Sequence, residues 1–185
     1  MAVKSKLIVG LGNPGKEFVK NKHSIGFYFT NKLVNYYRLS SLYNKRKTIF
    51  WKKKTEKYGK TINLIILQPQ TFMSLSGEAV LYIAAFLRIE VQDIIVICDD
   101  IGEKIGNYKT YLAEKQENHN GINSLLESLK RGGFTILKLG IGELPRNTNE
   151  EDFLLTNFSK KEIQEFDNFF PTITDICDEF LFSND

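Results

Sequence analysis

Two cysteines, two histidines, one tryptophan and four prolines are all that 185 residues hold of these types. Each scarcity closes off a class of protein. Cys98 and Cys177 make neither a disulfide framework nor a zinc pattern, and only His23 and His119 could join them as transition-metal ligands, so reduced thiols and no metal are expected. No apolar run approaches the roughly 20 residues needed to span a bilayer. The opening residues also lack the apolar core of a secretion signal. The expectation is a soluble, cytoplasmic protein with no membrane partner. No internal repeat or low-complexity tract occurs, and no G-x-S-x-G nucleophile elbow.

Acid is scarce in the larger part of the chain. Residues 1–142 carry 11 Asp or Glu against 22 Lys or Arg, whereas residues 143–185 carry 11 against 3. This polarity suits a polyanionic partner for the larger part, with the acidic segment held away from it; solubility charge that happens to segregate is the plainer alternative.

What is present alternates. Leu7–Gly10 is a short continuous apolar run, as in a strand buried on both faces. Ile25, Tyr28, Phe29, Leu33 and Tyr36 recur at helical spacing, predicting a helix over about Ser24–Tyr37. Thr48–Trp51 and Thr61–Leu67 read as two antiparallel strands around a charged, glycine-containing middle. Ser76 is placed to cap a helix that turns Ala79, Val80, Ile83, Phe86 and Leu87 inward. Ile94–Cys98 is a further buried strand, stopping at Asp99 and Asp100. Asn107–Leu112 is read as a strand, Gly121–Lys130 as a helix and Thr135–Ile141 as a strand. The acidic end leads into a helix over about Lys160–Phe180 that Pro171 could break. The fold class is α/β: a single three-layer domain over residues 1–185, with a mixed, largely parallel central sheet flanked by helices and an acidic C-terminal helical segment at about 150–185.

Gly10, Gly12 and Gly15 spell G-x-G-x-x-G, yet the dinucleotide reading fails. That loop must open a helix and be followed about 20 residues later by an acid that holds the ribose. KEFVKNKH, residues 16–23, has no helical face, TNKLVNYY, residues 30–37, has no acid, and Pro14 removes an amide from the loop. What the loop offers is Asn13, at the carboxyl end of a strand, where open α/β sheets place their working crevice. Asp99 and Asp100 end another strand there, and His23 sits just before the first helix. Asn13, His23 and Asp99 can therefore share a pocket in which a carboxylate fixes the imidazole tautomer and the free nitrogen takes a proton from water. Taken singly, each has a plainer reading: Asn13 as a turn residue, His23 at the surface, Asp99 as a helix cap. Cys98, inside an apolar strand, reads as inert. Activated water acting on a labile bond such as an ester fits better than a covalent nucleophile.

Three further stretches stand out. In Asn118–His119–Asn120–Gly121, Asn120 either caps a helix or holds a peptide group of a substrate. In QPQTFMSLSG, residues 68–77, Met73 either belongs to the core or offers a flexible thioether to a groove. Between Lys45 and Lys60 eight of sixteen positions are Lys or Arg, Glu56 is the single acid, and Phe50, Trp51 and Tyr58 are interleaved. Such a tract either meets phosphates and bases or keeps an edge hairpin soluble.

LIVGLGNPG followed by KHSIGF, then QPQTFMSLSGEAV, VICDDIGEKIG, and NHNGINSLL leading to LKLGIGE resemble, in order and spacing over residues 6–143, the bacterial peptidyl-tRNA hydrolase family. The resemblance implies an enzyme that cleaves the ester between a peptide and the terminal adenosine of tRNA, recycling tRNA from peptides dropped by the ribosome. It implies a cytoplasmic, monomeric α/β protein acting without cofactor or metal, with peptidyl-tRNA as its partner. His23 would be the general base, Asp99 its orienting partner, and Asn13 and Asn120 the groups that bind the peptide end and place the water. Met73, Ser74, Phe18 and His119 would line the substrate site, and Lys109, Lys115 and Lys138 would be candidate tRNA contacts. The chain departs from the family pattern at Phe18, where a tyrosine is usual, at Ser24 and Ser74, where asparagine is usual, at Lys138, often arginine, and in AEKQEN, residues 113–118, usually glycine-rich. These changes bear on substrate grip more than on the chemical step. A binding module that keeps an idle trio is the alternative.

Overall fold

The computed structural model describes residues 2–130 and 132–183. Seven strands form one sheet: β1 (Lys4–Gly10), β2 (Leu42–Lys45), β3 (Thr48–Lys57), β4 (Lys60–Pro69), β5 (Ile94–Asp100), β6 (Tyr108–Leu112) and β7 (Thr135–Gly140). Their order is β2-β3-β4-β1-β5-β7-β6. The central strands β4, β1, β5 and β7 are parallel, β3 and β6 run antiparallel to them, and β2 pairs antiparallel with β3 at the edge. The mixed α/β sheet expected from the sequence is therefore present.

Alternation along the buried strands sends successive residues to two cores. Ile8, Ile66, Ile95 and Ile97 pack with Phe29 and Leu33 of α1 (Ile25–Tyr36) and with Phe166, Ile173, Cys177 and Leu181 of α5 (Lys160–Phe182). Leu7, Val9, Ile65, Leu67 and Val96 pack with Val80 and Ile83 of α2 (Ser76–Phe86) and with Ile122 and Leu125 of α3 (Asn120–Leu129). A short helix, α4 (Glu150–Leu154), lies between β7 and α5 in the chain.

Several local expectations are corrected. Ser76 does not cap α2: Leu75 holds that position after a 3-10 turn over Met73–Leu75, and Ser76 Oγ is buried without a hydrogen-bond partner. Phe86 is not inward but 54% exposed, because α2 has there reached the sheet edge; Lys45 Nζ lies 3.8 Å from its ring centroid. Asn120 does not cap α3; His119 does. α5 runs unbroken through Pro171, its packed face holding the axis where one backbone hydrogen bond is missing. Within the basic tract, β3 continues to Lys57, and β2 is an additional strand.

The glycine loop brings a helix close to the sheet. A Cβ on Gly10 would lie 2.4 Å from the Gly26 carbonyl of α1, and one on Gly26 would lie 2.3 Å from the Leu11 amide. Only hydrogen fits at both positions, and the close approach sets the residues before α1 against the carboxyl ends of β1 and β5.

Candidate active site

A cleft of about 860 Å³ opens at those carboxyl ends, its lining including Asn13, His23, Met73, Asp99, His119 and Asn120. β5 carries Asp99 to the floor, 2% exposed. A 3-10 turn at Lys22–Ser24 sets His23 over it, with Nδ1 2.8 Å from Asp99 Oδ1. His119 approaches the same carboxylate oxygen from the start of α3, Nε2 at 3.1 Å.

The partners of the ring nitrogens assign both tautomers. His119 Nδ1 accepts from the amides of Gly121 and Ile122, at 3.1 and 3.3 Å, so its proton is on Nε2 and is donated to Asp99. His23 donates its Nδ1 proton to the same oxygen, which leaves Nε2 unprotonated and without a protein partner among the described residues. Burial alone would raise the Asp99 carboxyl, but the attraction and hydrogen bonds of the N–H groups that His119 and His23 aim at it outweigh that and hold the group well below the usual carboxylate range. Among the described residues, these three side chains also have the spacing to take a cation, their ligand atoms lying within 4.8 Å of one another. Here they are joined by protons.

Asn13 is fixed from two sides: its amide donates to Ser24 Oγ at 3.2 Å, and its Oδ1 accepts from the Met73 amide at 3.2 Å. Its Nδ2 is thereby the free donor, with no protein partner among the described residues. Met73 is buried, while Ser74 and Asn120 are exposed on the cleft wall. Phe18 is half-buried and is not among the lining residues. Burial pushes the Cys98 thiol up, which suits an inert sulfur.

Of the candidate cations, Lys109 is paired with Asp100 and Glu103, and Lys138 with Glu117 at 2.6 Å. Glu117 also accepts from the Tyr111 hydroxyl, and Asn123 exchanges hydrogen bonds with its backbone, so this carboxylate pins the loop at residues 113–118. Lys115 is exposed.

Sequence reasoning missed the support beneath His23. Lys22, only 5% exposed, bonds Glu162 at 2.7 Å and lies over the rings of Phe153 and Phe158. Asn21 Nδ2 donates to Leu155 O and Asn157 Oδ1. These interactions fasten the turn bearing His23 to α4 and α5, and Asn149, Glu150 and Leu154 close the far wall of the cleft. The signal was faint: charged, surface-like residues flanking a histidine.

A buried carboxylate that orients an imidazole at the carboxyl ends of a parallel sheet, with no serine or cysteine bonded to that imidazole among the described residues, is an arrangement able to draw a proton from water. The chain's relatives narrow the class. A model of the peptidyl-tRNA hydrolase family matches residues 7–185. A peptidyl-tRNA hydrolase of Lactobacillus helveticus is 35% identical over 97% of this chain and 95% of its own, and one of Lawsonia intracellularis is 34% identical over 98% and 89%. The crystal structure of peptidyl-tRNA hydrolase from Acinetobacter baumannii superposes with a TM-score of 0.84 at 23% identity, covering 98% of this chain and 91% of that one, and shows the same fold. The chain belongs to the peptidyl-tRNA hydrolase family.

Proposed function

We propose that the protein hydrolyses the ester joining peptide to tRNA in peptidyl-tRNA, returning tRNA from prematurely released chains to use. The observation that carries this reading is His23 Nδ1 held 2.8 Å from Asp99 Oδ1, with Nε2 free in the cleft of a chain of this family. His23 Nε2 takes a proton from water as the oxygen adds to the ester carbonyl. Asp99 balances the imidazolium, and the free Nδ2 of Asn13 donates to the carbonyl oxygen as it gains charge. Collapse of the adduct expels the ribose oxygen, which takes its proton back from the imidazolium. Peptide and tRNA leave as acid and alcohol, with no redox change.

Asn120, Met73 and Ser74 contribute to the peptide side of the cleft. Ser74 is shorter than the asparagine usual in the family, so its hydroxyl stops short of where an amide would meet substrate. His119 acts through Asp99 rather than on substrate. The protein works as a monomer in the cytoplasm; no helix among the described residues is long and apolar enough to cross a membrane. The non-catalytic alternative is not favoured, because the relatives that match nearly the whole chain are hydrolases by name.

The test is release of peptide from N-blocked aminoacyl-tRNA. Wild type should turn over, and His23→Ala should lose about 10²- to 10⁴-fold in kcat while keeping its affinity for tRNA. A folded wild-type protein without turnover overturns the reading.

A further inference from the structure

The basic tract divides by strand alternation. Lys53 donates to the Tyr37 carbonyl, Lys57 pairs with Asp178, and Lys60 donates to the Ser183 carbonyl, so these three tie the hairpin to the α1 and α5 layer. Lys45, Arg46, Lys47 and Lys52 differ: among the described residues no carboxylate lies within ion-pair distance of any of them.

Two of these cations are nevertheless held in place. Lys45 Nζ sits 3.8 Å from the Phe86 ring centroid, and the Arg46 guanidinium sits 5.1 Å from that of Tyr82. The two rings lie parallel, 6.3 Å apart, on α2. An aromatic face orders a cation without cancelling its charge, whereas a carboxylate orders it and cancels it. Lys109 and Lys138, beside the cleft, are of the second kind.

The turn's backbone departs from the usual as well. Arg46 and Lys47 join β2 to β3 in a two-residue turn with φ of 47° and 56°, the left-handed conformation that Asn-Gly adopts with least strain. Two long basic side chains stand where the fold alone would favour small residues. The turn is also fastened to the cleft: Lys47 O accepts from the Gln70 amide at 2.7 Å, two residues before Phe72, which is 65% exposed and lines the cleft rim.

We propose that the β2–β3 turn, through Lys45, Arg46 and Lys47 with Lys52 beside them, is a second docking surface for the phosphate backbone of the tRNA whose ester end enters the cleft. Charge complementarity selects this occupant: the cations are exposed or half-buried and unneutralised, two of them held on aromatic rings, while the carboxylates of α5 lie with that helix on the opposite face of the sheet. The proposal rests on the reading of the substrate as a tRNA ester.

The test uses the full chain with Arg46→Asn and Lys47→Gly together, which removes two charges while supplying the residues the turn prefers. Melting should hold or rise. Affinity for deacylated tRNA should fall about ten- to thirtyfold at 0.1 M salt, and the slope of log affinity against log salt should shrink by about 0.7 to 0.9 for each phosphate no longer neutralised. The kcat at saturating peptidyl-tRNA should not change. Arg46→Gln with Lys47→Gln gives the same reading if the first pair misfolds. Lys160→Gln with Lys161→Gln, on α5, should leave affinity intact. Wild-type affinity and slope in the turn variants, or an equal loss in the α5 variant, would overturn the surface. Binding of deacylated tRNA is read apart from peptide release, so a wild type that binds but does not turn over indicts the catalytic reading alone.

Discussion

Asp99→Asn removes a charge while leaving an oxygen where both histidines donate. Oδ1 accepts from His23 Nδ1 at 2.8 Å and from His119 Nε2 at 3.1 Å, and an asparagine carbonyl in that place keeps both bonds and both tautomers. What disappears is the attraction between carboxylate and the imidazolium formed as His23 takes the water proton. At a charge separation of about 4 Å and an effective dielectric of about 20 this amounts to roughly 4 kcal/mol, or about a thousandfold in rate. Should the amide instead turn its NH2 to His23 Nδ1, the proton would be driven to Nε2 and the base lost, a defect of about 10⁴-fold as in serine-protease triads with the wrong tautomer. Single-turnover release of peptide from N-blocked aminoacyl-tRNA, with enzyme in excess, isolates this step, and a thermal melt verifies the fold. The expected loss is about 10³- to 10⁴-fold in the chemical rate, with substrate affinity within a few-fold. A loss under about tenfold in a natively melting variant would refute this electrostatic role. Because Asp99 is held below the carboxylate range, it stays charged from about pH 5 to 8 and adds no step of its own to the pH dependence of the rate across that interval.

His119→Asn separates capping from positioning: an asparagine oxygen can still accept from Gly121 and Ile122 but leaves the buried Asp99 carboxylate one donor short, so stability should fall by about 1 to 3 kcal/mol while kcat falls about tenfold and KM stays. An unchanged kcat would count against the link. Lys22→Met should cost about 2 to 3 kcal/mol in denaturant unfolding, since it removes both the charge partner of Glu162 and the cation held over the Phe153 and Phe158 rings. Burial raises the Glu162 carboxyl, but its bond to Lys22 outweighs that and lowers it; its stabilisation is therefore complete above the unfolded value of about 4.3 and lost as pH falls through the lower folded one, and the acid slope should be shallower in Lys22→Met. Ser76→Ala deletes a buried hydroxyl without a partner and should leave melting unchanged or raise stability by about 1 kcal/mol.

The elements legible in the sequence are those whose burial is local in pattern. β1 and β5 announce themselves because a strand covered on both faces needs a continuous apolar run, and α1 because one helical face meets the sheet. β2 and the outer half of β3 do not, since Lys45 is explained by Phe86, Lys53 by Tyr37 and Lys57 by Asp178, the last more than a hundred residues away. Likewise the site's polar residues could be named from type and strand ends, but not who holds whom. A histidine is an unusual cap, and nothing near His119 in the chain signals that its other nitrogen reaches Asp99, twenty positions upstream. Phe86 defeats the pattern because helical periodicity says which way a ring points and not where the sheet ends.

The contribution of α4 and α5 has a consequence for how the protein is made. Phe166, Ile173, Cys177 and Leu181 cover one face of the sheet, and residues 149–155 supply a cleft wall, so a chain still under synthesis owns its base and its carboxylate but not a closed core. Folding must therefore wait until α5 has been made, and a chain cut short before it has an apolar face open to water and no assembled cleft.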